Sequence, residues 1–260
     1  MFMRVTVLGC WAPYPAPGGA CSGYVIQDAA TNTVLDLGHG SFSRLHQIFD
    51  FRSVHSVIIT HLHPDHYADL HCLRHAIAGA LRDGSRRQGL VNLYLPDQPA
   101  DIAGYFASCQ DAFNTVFIKD LPRETVPPGV LVHVCHVGPV RYYLLPVQHN
   151  LPAYAVGVEG SGYLVYTGDT CPTPDLTRFA EKADILLCEA SGLNSDLDVM
   201  AGRHMTAGQA GELARQARVK ELILTHFWPE YDLEELRRQA EEAYGNKVYL
   251  ATEGDTYFVL

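Results

Sequence analysis

The sequence predicts a mixed α/β (α+β) fold in which two β-sheets pack together with helices on both outer faces, a four-layer αββα sandwich. Two observations predict it: the middle of the chain is a succession of short strands, and the last third alternates strand with helix. A third observation assigns residues 1–260 to one domain. There is no short-period repeat, no low-complexity tract and no linker long enough to divide the chain.

Taken in order, an apolar strand at 4–9 leads into a Pro/Gly-rich loop at 12–19. Strands at 23–27 and 33–36 follow, then a stretch at 41–49 with helical spacing. The β-branched run 54–60 stops abruptly at His61, and Leu70, Leu73, Ile77 and Leu81 recur at helical intervals across 65–81. Asp83-Gly84-Ser85 ends that helix. Strands are expected at 91–95, 116–118, 130–136, 140–147, 154–159 and 163–167, with a helix at 101–113. The remainder reads strand 185–189, helix 206–217, strand 222–225, helix 233–243 and strands 247–251 and 256–260.

Apolar residues make up 47% of the chain and charged residues 18%, an ordinary globular profile. No apolar run approaches the ~20 residues of a membrane span, and residues 1–9 lack signal-peptide architecture, so a cytoplasmic protein is expected. Seven scattered cysteines without a C-x-x-C pair read as buried, reduced thiols rather than a disulfide framework. A net charge of −10 argues against wrapping nucleic acid, yet leaves room for a local phosphate site built on bound cations.

Thirteen histidines are the compositional anomaly, and their placement carries the functional reading. Thr60-His61-Leu62-His63-Pro64-Asp65-His66 gathers three histidines and an aspartate at a strand-to-helix switch. In extended chain His61 and His63 share a side. Pro64 turns the chain, Asp65 suits an N-cap, and His66 falls in the first helical turn. Imidazole and carboxylate are the ligands that zinc, iron or manganese accept. His149, Asp169 and His226 each follow an apolar strand, where loops carry sites on a rigid scaffold. One polar residue at a strand end is ordinary. Together the seven side chains suffice for two ions bridged by one carboxylate.

His61-x-His63-x-Asp65-His66 followed by His149, Asp169 and His226 resembles the metallo-β-lactamase superfamily over nearly the whole chain. The resemblance implies one metal on His61, His63 and His149, another on Asp65, His66 and His226, and Asp169 bridging them. It implies two divalent transition-metal ions, zinc by default and manganese or iron in relatives. Within the superfamily the chain is most similar to the ribonuclease Z-like phosphodiesterases. Asp36-Leu37-Gly38-His39-Gly40, His149-Asn150-Leu151-Pro152, Glu189-Ala190-Ser191, His204-Met205-Thr206-Ala207 and Leu224-Thr225-His226-Phe227 carry that likeness. It implies that Glu189 steadies a non-ligand histidine, His204, which meets the phosphate.

Two departures narrow the expectation. Cys188 stands where the family has His, and His149 and Asp169 are only about twenty residues apart. Ribonuclease Z inserts a long tRNA-binding arm in that interval, whereas residues 154–167 leave room for a two-stranded connection. A small or short phosphodiester is therefore expected as substrate rather than tRNA, with no membrane partner, and a homodimer is admitted by analogy. The implied mechanism is hydrolysis by a metal-bridging hydroxide oriented by Asp65, with His204 donating a proton or holding a phosphoryl oxygen. His71 and His75 read as a solvated or packing helix face, Cys188 as packing and Thr206 as an N-cap. His39 has two readings, a surface turn or a place beneath the site. A thioesterase or lactonase of the same fold is the main rival. A diiron redox enzyme would carry Glu at the position of His63, and a non-catalytic relative would be expected to lose ligands.

Overall fold

Side chains along residues 23–28 alternate between two cores: Tyr24 and Ile26 belong to one apolar cluster and Val25 to another. Val34 and Leu35 repeat the pattern, and a bulge at Asp36, φ 53°, then turns Leu37 to the Val34 side. A strand presents successive side chains to opposite faces, so this sheet is buried on both. The computed structural model describes residues 2–260.

The first sheet collects β1 (Met3–Gly9), β2 (Gly23–Asp28), β3 (Thr31–Leu37), β4 (Ser56–Ile58), β5 (Val91–Leu95) and β6 (Phe113–Phe117). The second collects β7 (Arg123–Val126), β8 (Val130–Val137), β9 (Val140–Val147), β10 (Ala153–Glu159), β11 (Tyr163–Tyr166), β12 (Ile185–Glu189), β13 (Glu221–Thr225) and β14 (Val248–Leu250). The last strand, β15 (Thr256–Val259), returns to the first sheet beside β1, giving the order β15-β1-β2-β3-β4-β5-β6. The second sheet runs β14-β13-β12-β11-β10-β9-β8-β7. Each sheet is half parallel: β3 to β6 in the first, β11 to β14 in the second. Parallel strands buried on both faces read as unbroken apolar runs, which is why 185–188 and 222–224 show no alternation.

Helices α1 (Ser41–Ile48), α2 (Pro64–Tyr67), α3 (Leu70–Arg82) and α4 (Ala100–Ser108) belong to the first half of the chain. Leu45, Leu73, Ile77 and Phe106 from α1, α3 and α4 pack on the outer face of the first sheet. In the second half come α5 (Pro174–Phe179), α6 (Leu197–Met200), α7 (Ala207–Ala217) and α8 (Leu233–Tyr244). Phe179, Leu213 and Leu236 from α5, α7 and α8 join the core of the second sheet. Three buried tyrosines tie the sheets across their interface: Tyr24 to Thr225 at 2.6 Å, Tyr142 to Thr33 at 2.8 Å and Tyr166 to Asp36 at 2.8 Å.

The fold is the expected one, with local corrections. The helix expected over 65–81 is two helices. Asp69 interrupts it, giving its backbone N–H to the Leu37 carbonyl at 3.0 Å and accepting from the Phe42 N–H at 2.9 Å. The helix expected to reach 113 stops at Ser108, and Phe113 opens β6 instead. Strand β7 and helix α5 were not anticipated. The first is a largely exposed edge strand and the second a short helix entered through Thr173 and Pro174. All seven cysteines are unpaired, but Cys72 is exposed rather than buried. Thr206 is the N-cap of α7, in a capping box with Gln209. His71 packs against Tyr105 and Phe106, and His39 is exposed. No helix among the described residues is long and apolar enough to cross a membrane.

Candidate active site

Beyond β4 the chain stays extended, with Ile59 bonded to the Tyr94 carbonyl at 2.9 Å and Thr60 N–H to Asp36 at 2.8 Å. His61 follows, fully buried. His63, at φ −85° and ψ 144°, is the last extended residue and occupies the N-cap position of α2. The expected N-cap, Asp65, lies inside the helix instead. Pro64 explains the shift: its fixed φ and missing N–H suit the first helical position, which makes the preceding residue the cap. The single turn of α2 then brings Asp65 and His66 to the same buried end of the sandwich as His61.

The other predicted residues arrive from the second sheet. His149 follows β9, Asp169 follows β11, Glu189 is the last residue of β12 and His226 follows β13. His204 sits between α6 and α7, its N–H bonded to the Met200 carbonyl at 2.9 Å. His61, His63, His149 and Asp169 bring their ligand atoms within 4.8 Å of one another, as do Asp65, His66 and His226. Asp169 reaches both sets. Its Oδ2 lies 3.5 Å from His61 Nε2, and its Oδ1 lies 3.3 Å from His66 Nε2 and 3.1 Å from His226 Nε2.

One nitrogen of most of these imidazoles is committed outward. His66 Nδ1 donates to Asp36 Oδ2 at 2.8 Å, and His226 Nδ1 donates to the Ser191 hydroxyl at 2.8 Å. His149 Nδ1 donates to the Arg203 carbonyl at 2.8 Å, and His61 Nδ1 lies 3.1 Å from Thr60 Oγ1. With those protons assigned, the inward atoms are lone pairs. In the neutral imidazoles His66 Nε2 and His226 Nε2 would meet as lone pairs at 3.2 Å, and His61 Nε2 lies 3.0 Å from His63 Nδ1. Asp169 Oδ1 is buried and makes no well-directed hydrogen bond. Converging lone pairs around an orphaned carboxylate oxygen repel unless a cation or extra protons lie among them. The donor set, imidazole nitrogen with carboxylate oxygen, fits a borderline divalent metal.

With protein groups alone, the carboxylates draw protons to the place a cation would take. Burial lowers the His66 imidazole pKa, but Asp169, Asp36 and Asp65 outweigh it and hold the group well above its usual value. His226 is likewise depressed by burial yet lifted to about 10 by Asp169 and Asp65. His61 goes the other way, pushed down by burial and by the neighbouring histidines. Asp169 is raised by burial and lowered further by His226, His66 and His61, for a net fall well below the carboxylate range.

Outside these sets, His204 Nδ1 donates to the Glu189 carboxylate at 3.2 Å. The same carboxylate accepts from the Ser191 hydroxyl, the Thr170 N–H and the Met205 N–H, each between 2.5 and 3.2 Å. His204 also lies close enough to Asp169 and His226 to form a third metal-capable grouping, although its Nδ1 is engaged by Glu189. Cys188, next to Glu189, is fully buried in the core.

Three residues here were not singled out from the sequence. Asp36 orients His66, Ser191 links Glu189 to His226, and Trp228 walls the cavity above the cluster. The Asp-x-Gly turn was the available signal for Asp36, and Ser191 stood two residues beyond Glu189. His226 itself adopts φ 62°, a left-handed conformation that a non-glycine holds at a cost of about 1–3 kcal/mol, most often at functional sites.

Residues 29–227 match the β-lactamase superfamily domain. The chain belongs to the β-lactamase superfamily. Among superfamily relatives, the probable metallo-hydrolase YhfI of Bacillus subtilis is 28% identical over 97% of this chain and 98% of its own. Ribonuclease Z of Ignicoccus hospitalis is 28% identical over 92% of each chain. The crystal structure of YhfI aligns with a TM-score of 0.88 over 99% of this chain and 100% of that one, at 26% identity. A diphosphatase of the PhnP family aligns with a TM-score of 0.75 over 98% and 97%, at 16% identity, a likeness of fold. The αββα sandwich is thus the metallo-β-lactamase fold, and by superfamily the chain is a metallo-hydrolase.

Proposed function

We propose that the chain is a phosphodiesterase with a dinuclear metal centre. His61, His63 and His149 would hold one ion and Asp65, His66 and His226 the other, with Asp169 in reach of both sets. Zinc is the default ion, with manganese or iron as alternatives. Ions so bound would lower the pKa of water and offset negative charge on the attacking and leaving oxygens.

The rest falls to the protein. Asp65, which lines the cavity, accepts a hydrogen bond from the attacking water and so aims it. His204 is the observation that carries the phosphodiester reading. It stands at the cavity wall with Nδ1 committed to Glu189, so that Nε2 is the atom free to donate a proton to the leaving alkoxide or hold a phosphoryl oxygen. Burial depresses this imidazole, but Glu189 outweighs burial and raises it above its usual value, which favours the protonated form near neutral pH.

The substrate in this reading is a small or short phosphodiester. The interval between His149 and Asp169 is filled by the β10–β11 hairpin alone, which supports neither an arm nor tRNA as substrate. The ribonuclease Z relative and the diphosphatase neighbour make phosphoester chemistry the natural first assay. The experiment is hydrolysis of bis-p-nitrophenyl phosphate by purified protein of measured metal content, beside a thioester and a lactone. Turnover of the diester, lost together with metal in His63→Ala, is the expected result. Inertness toward diesters with turnover of a thioester or lactone would replace this reading by a thioesterase or lactonase.

A further inference from the structure

The cavity over the cluster has a volume of about 480 Å³ and a lining of two kinds. The polar kind is His63, Asp65, Asp169, Ser191, His204 and His226, and the apolar kind is Ala12, Pro13, Pro64, Met200 and Trp228. No Lys or Arg among the described residues lines it. A ligand with several charged groups would find no side-chain cation there beyond the histidines. The rest of the lining is apolar.

Trp228 is the unusual member of the apolar set. It is 39% exposed, large for an indole, and lies two residues beyond His226. Its Nε1–H is already satisfied, donating to the Tyr14 hydroxyl at 3.0 Å, which in turn donates to Glu230 at 3.1 Å. What remains for a ligand is the apolar ring. The backbone beneath it is fixed: Phe227 N–H bonds to the Cys10 carbonyl at 2.8 Å and Ala12 N–H to the Phe227 carbonyl at 2.9 Å. Phe227 itself is fully buried and meets Trp11 edge-on at 6.0 Å. Met200 ends α6 and lines the same cavity, a soft thioether suited to the edge of a ring.

From this geometry we infer that Trp228, with Met200, is a specificity subsite for a flat, uncharged aromatic group on one ester branch of the substrate. The inference rests on the phosphodiester reading above and adds which diesters the site prefers. A fixed aromatic ring with its polar edge already bonded gains by stacking on another ring and gains little from an aliphatic chain. The phosphate sits over the histidines and the ring against Trp228, so both kinds of lining are used at once.

The test is calorimetric binding of phenyl phosphate and methyl phosphate to the metal-loaded full-length chain. These esters share the phosphate and differ only in the branch. Wild-type protein should bind phenyl phosphate tighter by roughly 10- to 100-fold, the range that aromatic stacking supplies. In Trp228→Ala the gap should close to within about threefold at unchanged metal content, and Trp228→Phe should keep most of it. Equal binding of the two esters by the wild type, or a gap that survives in Trp228→Ala, overturns the subsite and leaves the phosphodiester reading standing. If neither ester binds a protein of full metal content, the subsite is overturned, and turnover of bis-p-nitrophenyl phosphate separately decides the phosphodiester reading.

Discussion

Asp36 and His66 are joined by a 2.8 Å hydrogen bond between two fully buried groups, one on β3 and the other on α2. The carboxylate receives four donors in all: Thr60 N–H on Oδ1, and Thr60 Oγ1, Tyr166 OH and His66 Nδ1 on Oδ2. It therefore fixes which nitrogen of His66 turns toward the cluster, and it does so from a position that touches no proposed ligand atom.

Asp36→Asn tests that role. Asp36 has φ 53°, a conformation asparagine also tolerates, so the exchange removes charge with little backbone penalty. An amide offers one acceptor where four donors converge. We expect a loss of about 3–5 kcal/mol in stability and a fall of about 10–100-fold in metal affinity. Denaturant titration and competition with a chromophoric chelator measure the two. Wild-type metal affinity in this variant would show that His66 needs no such partner.

His204→Gln separates proton donation from metal binding. Metal content should match the wild type while turnover of a diester falls by about 10²- to 10⁴-fold. Glu189→Gln adds a sign. Activity that needs protonated His204 is lost as pH rises through its pKa, and Glu189 is what raises that pKa. Removing the charge should move the basic limb of the rate profile to lower pH. A limb that does not move would assign it to another group.

Metal uptake should release protons. In the metal-free chain His66 lies well above the usual 6.5 and His226 at about 10, so both carry protons at neutral pH. An ion needs their neutral forms, so apparent affinity climbs with pH up to about 10. The same raised values stabilise the metal-free fold below pH 6.5, a contribution lost as pH rises through about 10. Calorimetry in two buffers of different ionisation heat counts the protons, and a buffer-independent heat would contradict the assignment.

Gly38→Ala should damage the site through backbone contact alone. A Cβ there would sit 1.9 Å from the Asp65 carbonyl oxygen and 2.8 Å from Cys21 Cβ. Neither neighbour is the end of a flexible side chain. We expect destabilisation of at least about 1–3 kcal/mol together with weakened metal binding, read by thermal melts with and without added zinc. A melt and metal response equal to wild type would mean the turn has more room than its contacts indicate.

The sequence disclosed the sandwich and the seven convergent side chains because both are written in local pattern. Apolar runs mark buried strands, and each of His61, His149, Asp169 and His226 comes just after one. It was silent where a residue's meaning depends on a partner far along the chain. Asp36 is thirty residues from His66, and Ser191 thirty-five from His226. The break at Asp69 was hidden because Leu70, Leu73 and Ile77 keep the helical spacing that Asp65 and His66 begin. β7 escaped notice because an exposed edge strand has no core face to give it alternation.

Protein bonds fasten the two leaves of the sandwich at both ends, and the cluster end adds a further tie of its own. At the end remote from the cluster, Asp28 on β2 receives Ser161 N–H at 2.7 Å and Ser161 OH at 3.1 Å, a clip made wholly of protein. At the other end His61, His63, Asp65 and His66 arrive from one leaf and His149, Asp169 and His226 from the other. A cation held there would be a buckle as well as a reagent. Chelation would then loosen that rim, held afterwards only by bonds such as Tyr166 to Asp36, while the far seam is untouched.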